Sequence, residues 1–162
     1  MRVIGLDLGE RRIGVAVSDA TATLARPLKT IERGRSDEDA VALVCALVHE
    51  IAGEEDVASI VVGLPTRLDG SDNAQTPRVK AMVALLSAQL NLPVVMQDER
   101  LSSHEANERL SVREKDWRKR KVKLDAAAAA VILQDYLDAR SMTEELEKGR
   151  GRREEGKGET NE

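Results

Sequence analysis

The chain has 162 residues, with 25 Lys and Arg against 29 Asp and Glu, a formal charge of −4. That length suits one domain with a real core, filled by aliphatic side chains because Phe is absent and Trp117 and Tyr136 each stand alone. A single cysteine, Cys45, excludes an intrachain disulfide and a multi-cysteine zinc site. The acidic total argues against a protein that coats nucleic acid. Apolar runs far too short for a bilayer, with no signal-peptide pattern at the start, predict a cytoplasmic protein without a membrane partner.

In chain order, two apolar runs, Val3 to Leu8 and Ile13 to Val17, flank a polar turn carrying Gly9, the pattern of a β-hairpin. A third extended segment spans about Arg26 to Ile31. Ser36 then reads as an N-cap with Asp39 three residues on, and Val41, Val44, Leu47, Val48 and Ile51 recur at helical spacing up to Gly53. Val57 to Val62 reads as a buried strand entering Gly63-Leu64-Pro65. After a loop rich in turn formers, Thr76 is expected to cap a second helix with Pro77 at its first position. Pro93 to Gln97 is a short strand ending at Asp98-Glu99-Arg100, and Ser102 with Glu105 forms a capping box for a third helix. A final helix carries the alanine run Ala126 to Ala130 and is expected to end near Ala139. From Ser141 the chain is polar and rich in Gly and Glu, so residues 141–162 are expected to be a disordered tail. The order predicts an α/β fold, a mixed five-stranded sheet with three antiparallel strands, two parallel additions and helices on its faces.

Asp7 stands out. A carboxylate inside an apolar strand is costly unless a cation or hydrogen bonds compensate it. Strand parity puts Val3, Gly5 and Asp7 on one face, and Gly5 leaves room there for a close neighbour. On the last helix Asp125, Ala128, Ala129 and Ile132 share a face, so the small residues predict a close dock that brings Asp125 to Asp7. Asp98 and Glu99, at the end of the last strand, reach the same sheet edge if that strand lies beside strand one or one strand further out. Three converging carboxylates suit Mg²⁺ or Mn²⁺, which favour oxygen ligands and support phosphodiester hydrolysis. Taken singly, Asp125 is also explained by stabilisation of a helix's first turn, and Asp98 and Glu99 as loop acids or partners of Arg100.

At these residues the chain resembles the YqgF/RuvX family. Ile4-Gly-Leu-Asp7-Leu-Gly9, Gly63-Leu-Pro65 with Asp69-Gly70, Asp98-Glu99-Arg100-Leu-Ser-Ser103 and Asp125 with its four following alanines occur in family order across about residues 1–140. The resemblance implies an RNase H-like nuclease domain over residues 1–140 and a metal-dependent nuclease site. Within it Asp7, Glu99 and Asp125 are the catalytic and metal-holding acids, with Asp98 as the alternative to Glu99. It further implies 5′-end processing of precursor 16S rRNA during ribosome biogenesis, with ribosomal particles as partners, and it places Arg67 and Arg100 beside the substrate. Ser102-Ser103 stands where a threonine or two is expected.

A strongly basic segment from Arg113 to Lys123, including Arg118, Lys119, Arg120 and Lys121, offers cations to phosphates, as do Arg11 and Arg12 in the hairpin turn. The plainer alternatives are a solvated loop and a solvated hairpin tip. Trp117 either stacks on an unpaired base or packs on the body. His49 reads as a surface residue and His104 as structural. Three further functions stay open: a Holliday junction resolvase acting on branched DNA, a catalytically silent nucleic-acid-binding protein, and a nucleotide-binding module of the actin and sugar-kinase type. That last module also opens with a strand, Asp-x-Gly and a second strand, but needs a second such domain. Both a monomer and a homodimer are compatible with the chain.

Overall fold

The computed structural model describes residues 1–98 and 117–155, with the side chains of 117–123 and 152–155 left aside. The elements run β1 (Arg2–Leu8), β2 (Arg12–Ser18), β3 (Ala25–Glu32), α1 (Asp37–Glu54), β4 (Val57–Leu64), α2 (Thr76–Gln89), β5 (Val94–Asp98) and α3 (Trp117–Glu155). They build the expected mixed sheet, in the order β3-β2-β1-β4-β5. β1 pairs antiparallel with β2 and β2 with β3, while β4 joins β1 and β5 joins β4 in parallel. The short hairpin turns permit the antiparallel half, and the helical crossovers α1 and α2 permit the parallel half.

Alternation along the central strands sorts their side chains into two cores. Ile4, Leu6, Leu8, Ile13 and Val15 pack with Ile60 and Val62 under α1 and α2, around Val41, Val44, Met82 and Leu86. On the other face Val3, Ala16 and Val61 meet Ala129, Ile132, Leu133 and Leu137 of α3. The sheet is thus the middle of three layers. The edge strand β3 is largely exposed and carries Arg26, Pro27 and Lys29, residues that discourage pairing with another chain.

Helix ends follow their local chemistry. The Ser36 hydroxyl accepts the Asp39 N–H at 3.1 Å, the expected cap of α1. At α2 the capping oxygen is not that of Thr76. Asn73 Oδ1 accepts the N–H groups of Gln75 and Thr76, and the buried Thr76 hydroxyl instead donates to the Pro65 carbonyl. The Gly63-Leu64-Pro65 turn is thereby fastened to the start of α2.

The last helix differs from expectation at both ends. It begins at Trp117, two turns before Asp125, and it continues through Glu155 rather than stopping near Ala139. Residues 141–155, expected to lack order, are helical, and those from Ser141 to Gly151 are exposed. Their Glu, Lys and Arg are good helix formers and need no apolar stripe when the helix leaves the body. The helix expected from Ser102 lies outside the described residues.

Candidate active site

Asp7 is the penultimate residue of β1, with its side chain on the α3 face of the sheet. Its partner across the antiparallel ladder is Gly14. A Cβ on Gly14 would overlap the backbone of Asp125, so α3 crosses directly over this point. Two strands of the same face show the same fit at Gly5, where a Cβ would lie 2.8 Å from Leu133 Cβ and 3.0 Å from the Ala129 carbonyl oxygen. Residues 125, 129 and 133 are successive turns of one helix face, and two glycines receive all three. Gln134 holds the helix further along, accepting the Ala25 N–H at 2.9 Å and donating to the Thr23 carbonyl at 3.0 Å.

The dock sets two carboxylates against each other. Burial pushes the Asp7 carboxyl up to about 6, and the neighbouring Asp125 charge pushes it the same way. Among the described residues the cation paired with Asp125 is Arg12, whose Nε donates to its Oδ2 at 2.7 Å, in a pair whose side chains are 23% and 27% exposed. Since α3 starts at Trp117, Asp125 lies in the helix interior, where the dipole of the first turn no longer accounts for it. Its proximity to a desolvated acid is therefore a cost, which the Arg12 ion pair offsets by a single positive charge.

The site lies at the carboxyl ends of β1, β4 and β5, the edge where open α/β sheets bind ligands. Leu64 pairs with Asp98 at the end of β5, and Asp98 Oδ1 accepts the Thr66 hydroxyl at 2.8 Å. Register places Gly63 and Gln97 on the Asp7 face and Asp98 on the face of Leu6 and Leu8. Glu99 and Arg100 lie outside the described residues. Among the described residues no group of three His, Cys, Asp or Glu side chains gathers to hold a metal. Asp7 and Asp125 are the two acids brought together among the described residues, and their half-buried, oxygen-only and under-compensated charge fits a hard divalent cation.

Of the candidate substrate residues, Arg11 and Arg67 lie in the loops that follow β1 and β4 at this edge. Arg11 is exposed in the β1–β2 turn. Arg67 is exposed in a small loop closed by the Thr66–Asp72 bridge, with its N–H bonded to the Ser71 carbonyl at 2.9 Å and Gly70 at φ +86. Arg118, Lys119, Arg120 and Lys121 belong to the first turns of α3; their side chains are not described. Gly14 was not singled out in the sequence, although strand pairing makes it the residue opposite Asp7; Arg12, read there with Arg11 as a phosphate contact or a solvated tip, is set apart from it by its bond to Asp125.

The architecture is that of an RNase H-like protein. Thermus thermophilus RuvC in complex with a Holliday junction substrate aligns with a TM-score of 0.51 at 17% identity, covering 87% of this chain and 96% of that chain. A second Thermus thermophilus RuvC structure aligns with a TM-score of 0.50, covering 88% of this chain and 98% of that one.

The chain belongs to the RuvX family, described as Holliday junction resolvase, whose model matches residues 1–139. An Anaeromyxobacter dehalogenans relative named "Putative pre-16S rRNA nuclease" is 41% identical over 141 residues, 87% of this chain and 99% of that protein. A Chloroflexus aggregans relative of the same name is 45% identical over 138 residues, 85% of this chain and 94% of that protein.

Proposed function

We propose that the chain is a metal-dependent nuclease that hydrolyses phosphodiester bonds in the 5′-end processing of precursor 16S rRNA, in the cytoplasm and on ribosomal precursor particles. The observation that carries the chemistry is the desolvated Asp7 facing Asp125 at the carboxyl edge of the sheet. The choice of RNA follows the name shared by the relatives. Residues 1–140 form the nuclease unit in this reading.

Asp7, Asp125 and Glu99 would hold Mg²⁺ or Mn²⁺. Glu99 is preferred to Asp98 because Asp98 alternates onto the opposite face and holds the Thr66 hydroxyl. When bound, the ion supplies charge stabilisation to the phosphate and lowers the cost of forming the nucleophile from water. The protein supplies position. Gly14 and Gly5 let α3 sit low enough to bring Asp125 to Asp7, and the sheet keeps Asp7 out of bulk water, which strengthens each electrostatic interaction at the phosphate. With its carboxyl near 6, Asp7 is mostly ionised at neutral pH and available as a ligand. Arg11, Arg67, Arg100, Arg118, Lys119, Arg120 and Lys121 bind the nucleic-acid backbone, contacts that give affinity without sequence readout.

Purified full-length protein is to be incubated with precursor 16S rRNA and, separately, with four-way DNA junctions, in Mn²⁺ and in EDTA. Cleavage of the rRNA in Mn²⁺ alone is expected. Cleavage confined to the junction would reassign the substrate to branched DNA, and cleavage of neither would make the protein a silent binder.

A further inference from the structure

Arg12 occupies an unusual place. It is the first residue of β2, adjoining the turn that leaves Asp7, and its carbonyl accepts the Gly9 N–H at 3.0 Å. That bond fixes the backbone of the turn, and the side chain turns inward to Asp125 while neighbouring Arg11 points to solvent. Its guanidinium therefore lies against one of the two acids that would hold the metal ion.

The charges there define what Arg12 can do. Asp7 and Asp125 together carry two negative charges, and Arg12 returns one. Among the described residues it is the cation paired with these acids, through Asp125. The pair is only partly buried, so its strength is modest and its bond can be exchanged. Were Asp7 and Asp125 to hold a divalent cation, Arg12 would no longer be needed as their counter-charge and its guanidinium would be repelled. The released side chain stays tethered at the site, and its planar fork matches a phosphate better than it matches one carboxylate oxygen through Nε alone.

We propose that Arg12 is the resident counter-cation of the acidic site, displaced from Asp125 when metal binds and thereby freed to contact the substrate phosphate. Metal binding then raises affinity for nucleic acid by unmasking an arginine as well as by adding charge. This rests on Asp7 and Asp125 being metal ligands.

The test uses full-length wild type, Arg12→Gln, Arg12→Lys and Asp125→Asn. Calorimetry reports Mn²⁺ affinity, and fluorescence anisotropy reports binding of a hydrolysis-resistant phosphorothioate RNA with and without Mn²⁺. Removal of an internal competitor should tighten Mn²⁺ binding by Arg12→Gln by about 2- to 5-fold, the scale of a partly exposed ion pair. Its RNA affinity should fall in Mn²⁺ but not in EDTA, and the salt slope in Mn²⁺ should drop by about one. Arg12→Lys, which keeps the charge, should bind Mn²⁺ as wild type does. Weaker Mn²⁺ binding by Arg12→Gln overturns the proposal and makes Arg12 a clamp that positions Asp125. An equal loss of RNA affinity in Mn²⁺ and in EDTA also overturns it. Wild type that binds no Mn²⁺, or Asp125→Asn that binds it unchanged, refutes the metal-site reading itself, a result distinct from either of those.

Discussion

Asp7 makes the metal-free protein sensitive to pH in an unusual direction. Most native carboxylates have lowered pKa values, so acid removes stability; Asp7 is raised from 3.8 to about 6. Between those values the folded state holds a proton that the unfolded chain has lost. Stability contributed through this group therefore falls as pH rises from about 4 to about 6, and stays low above. In EDTA, Asp7→Asn should be more stable than wild type at pH 7.5, by about 2 kcal/mol, and the gain should vanish near pH 4. Denaturant unfolding at the two pH values checks both arms; an Asn variant less stable at pH 7.5 would contradict the burial account. The same shift bears on metal affinity. An ion competes with a proton on Asp7 below pH 6, so Mn²⁺ binding should weaken as pH falls through 6 and should release protons to the buffer, measurable by calorimetry in buffers of different ionisation heat. At this scale the sequence was informative about Asp7, since an acid in an apolar run has few structural excuses. It gave Arg11 and Arg12 the same reading, because nothing in a polar turn says which of two adjacent arginines turns inward.

The element on which the site depends is the seat of α3 on the hairpin. Gly14→Ala would press a methyl group into the Asp125 backbone, and a helix cannot move one residue without moving its neighbours. That variant should lose at least about 2–3 kcal/mol in urea unfolding, with loss of nuclease activity. Gly149→Ala supplies the contrast, since a Cβ there meets nothing within 4 Å. It should raise far-UV helicity without moving the global transition, because α3 is exposed at that point. The close dock was legible from Gly5 and the alanine run. The helix start was not, because the basic stretch before Leu124 lacks an apolar period, and periodicity is the signal by which a helix is read. Lys and Arg sustain a helix on propensity alone, and so the helix began earlier than its stripe.

For the whole molecule, the sheet order follows from chain order and short connections, which is why the mixed five-stranded architecture could be read in advance. The helical extension beyond Ser141 belongs to a different class of problem: its side chains are exposed as far as Gly151, so no packing pattern could announce it. Its independence from the core predicts that a chain ending at Arg140 melts within about 2 °C of the full protein while losing helical ellipticity. A larger drop would show that the extension supports the fold.

The central claim is that Asp7 and Asp125, joined at the sheet edge by glycine-seated packing, are the acids of a metal-dependent nuclease. It is tested most directly by the Mn²⁺-dependent rate of precursor 16S rRNA cleavage in wild type, Asp7→Asn and Asp125→Asn. Each substitution is expected to cut the rate by about a hundredfold or more, the scale of several kcal/mol of lost transition-state stabilisation, while RNA binding largely survives. Cleavage at the wild-type rate by both variants would contradict the account.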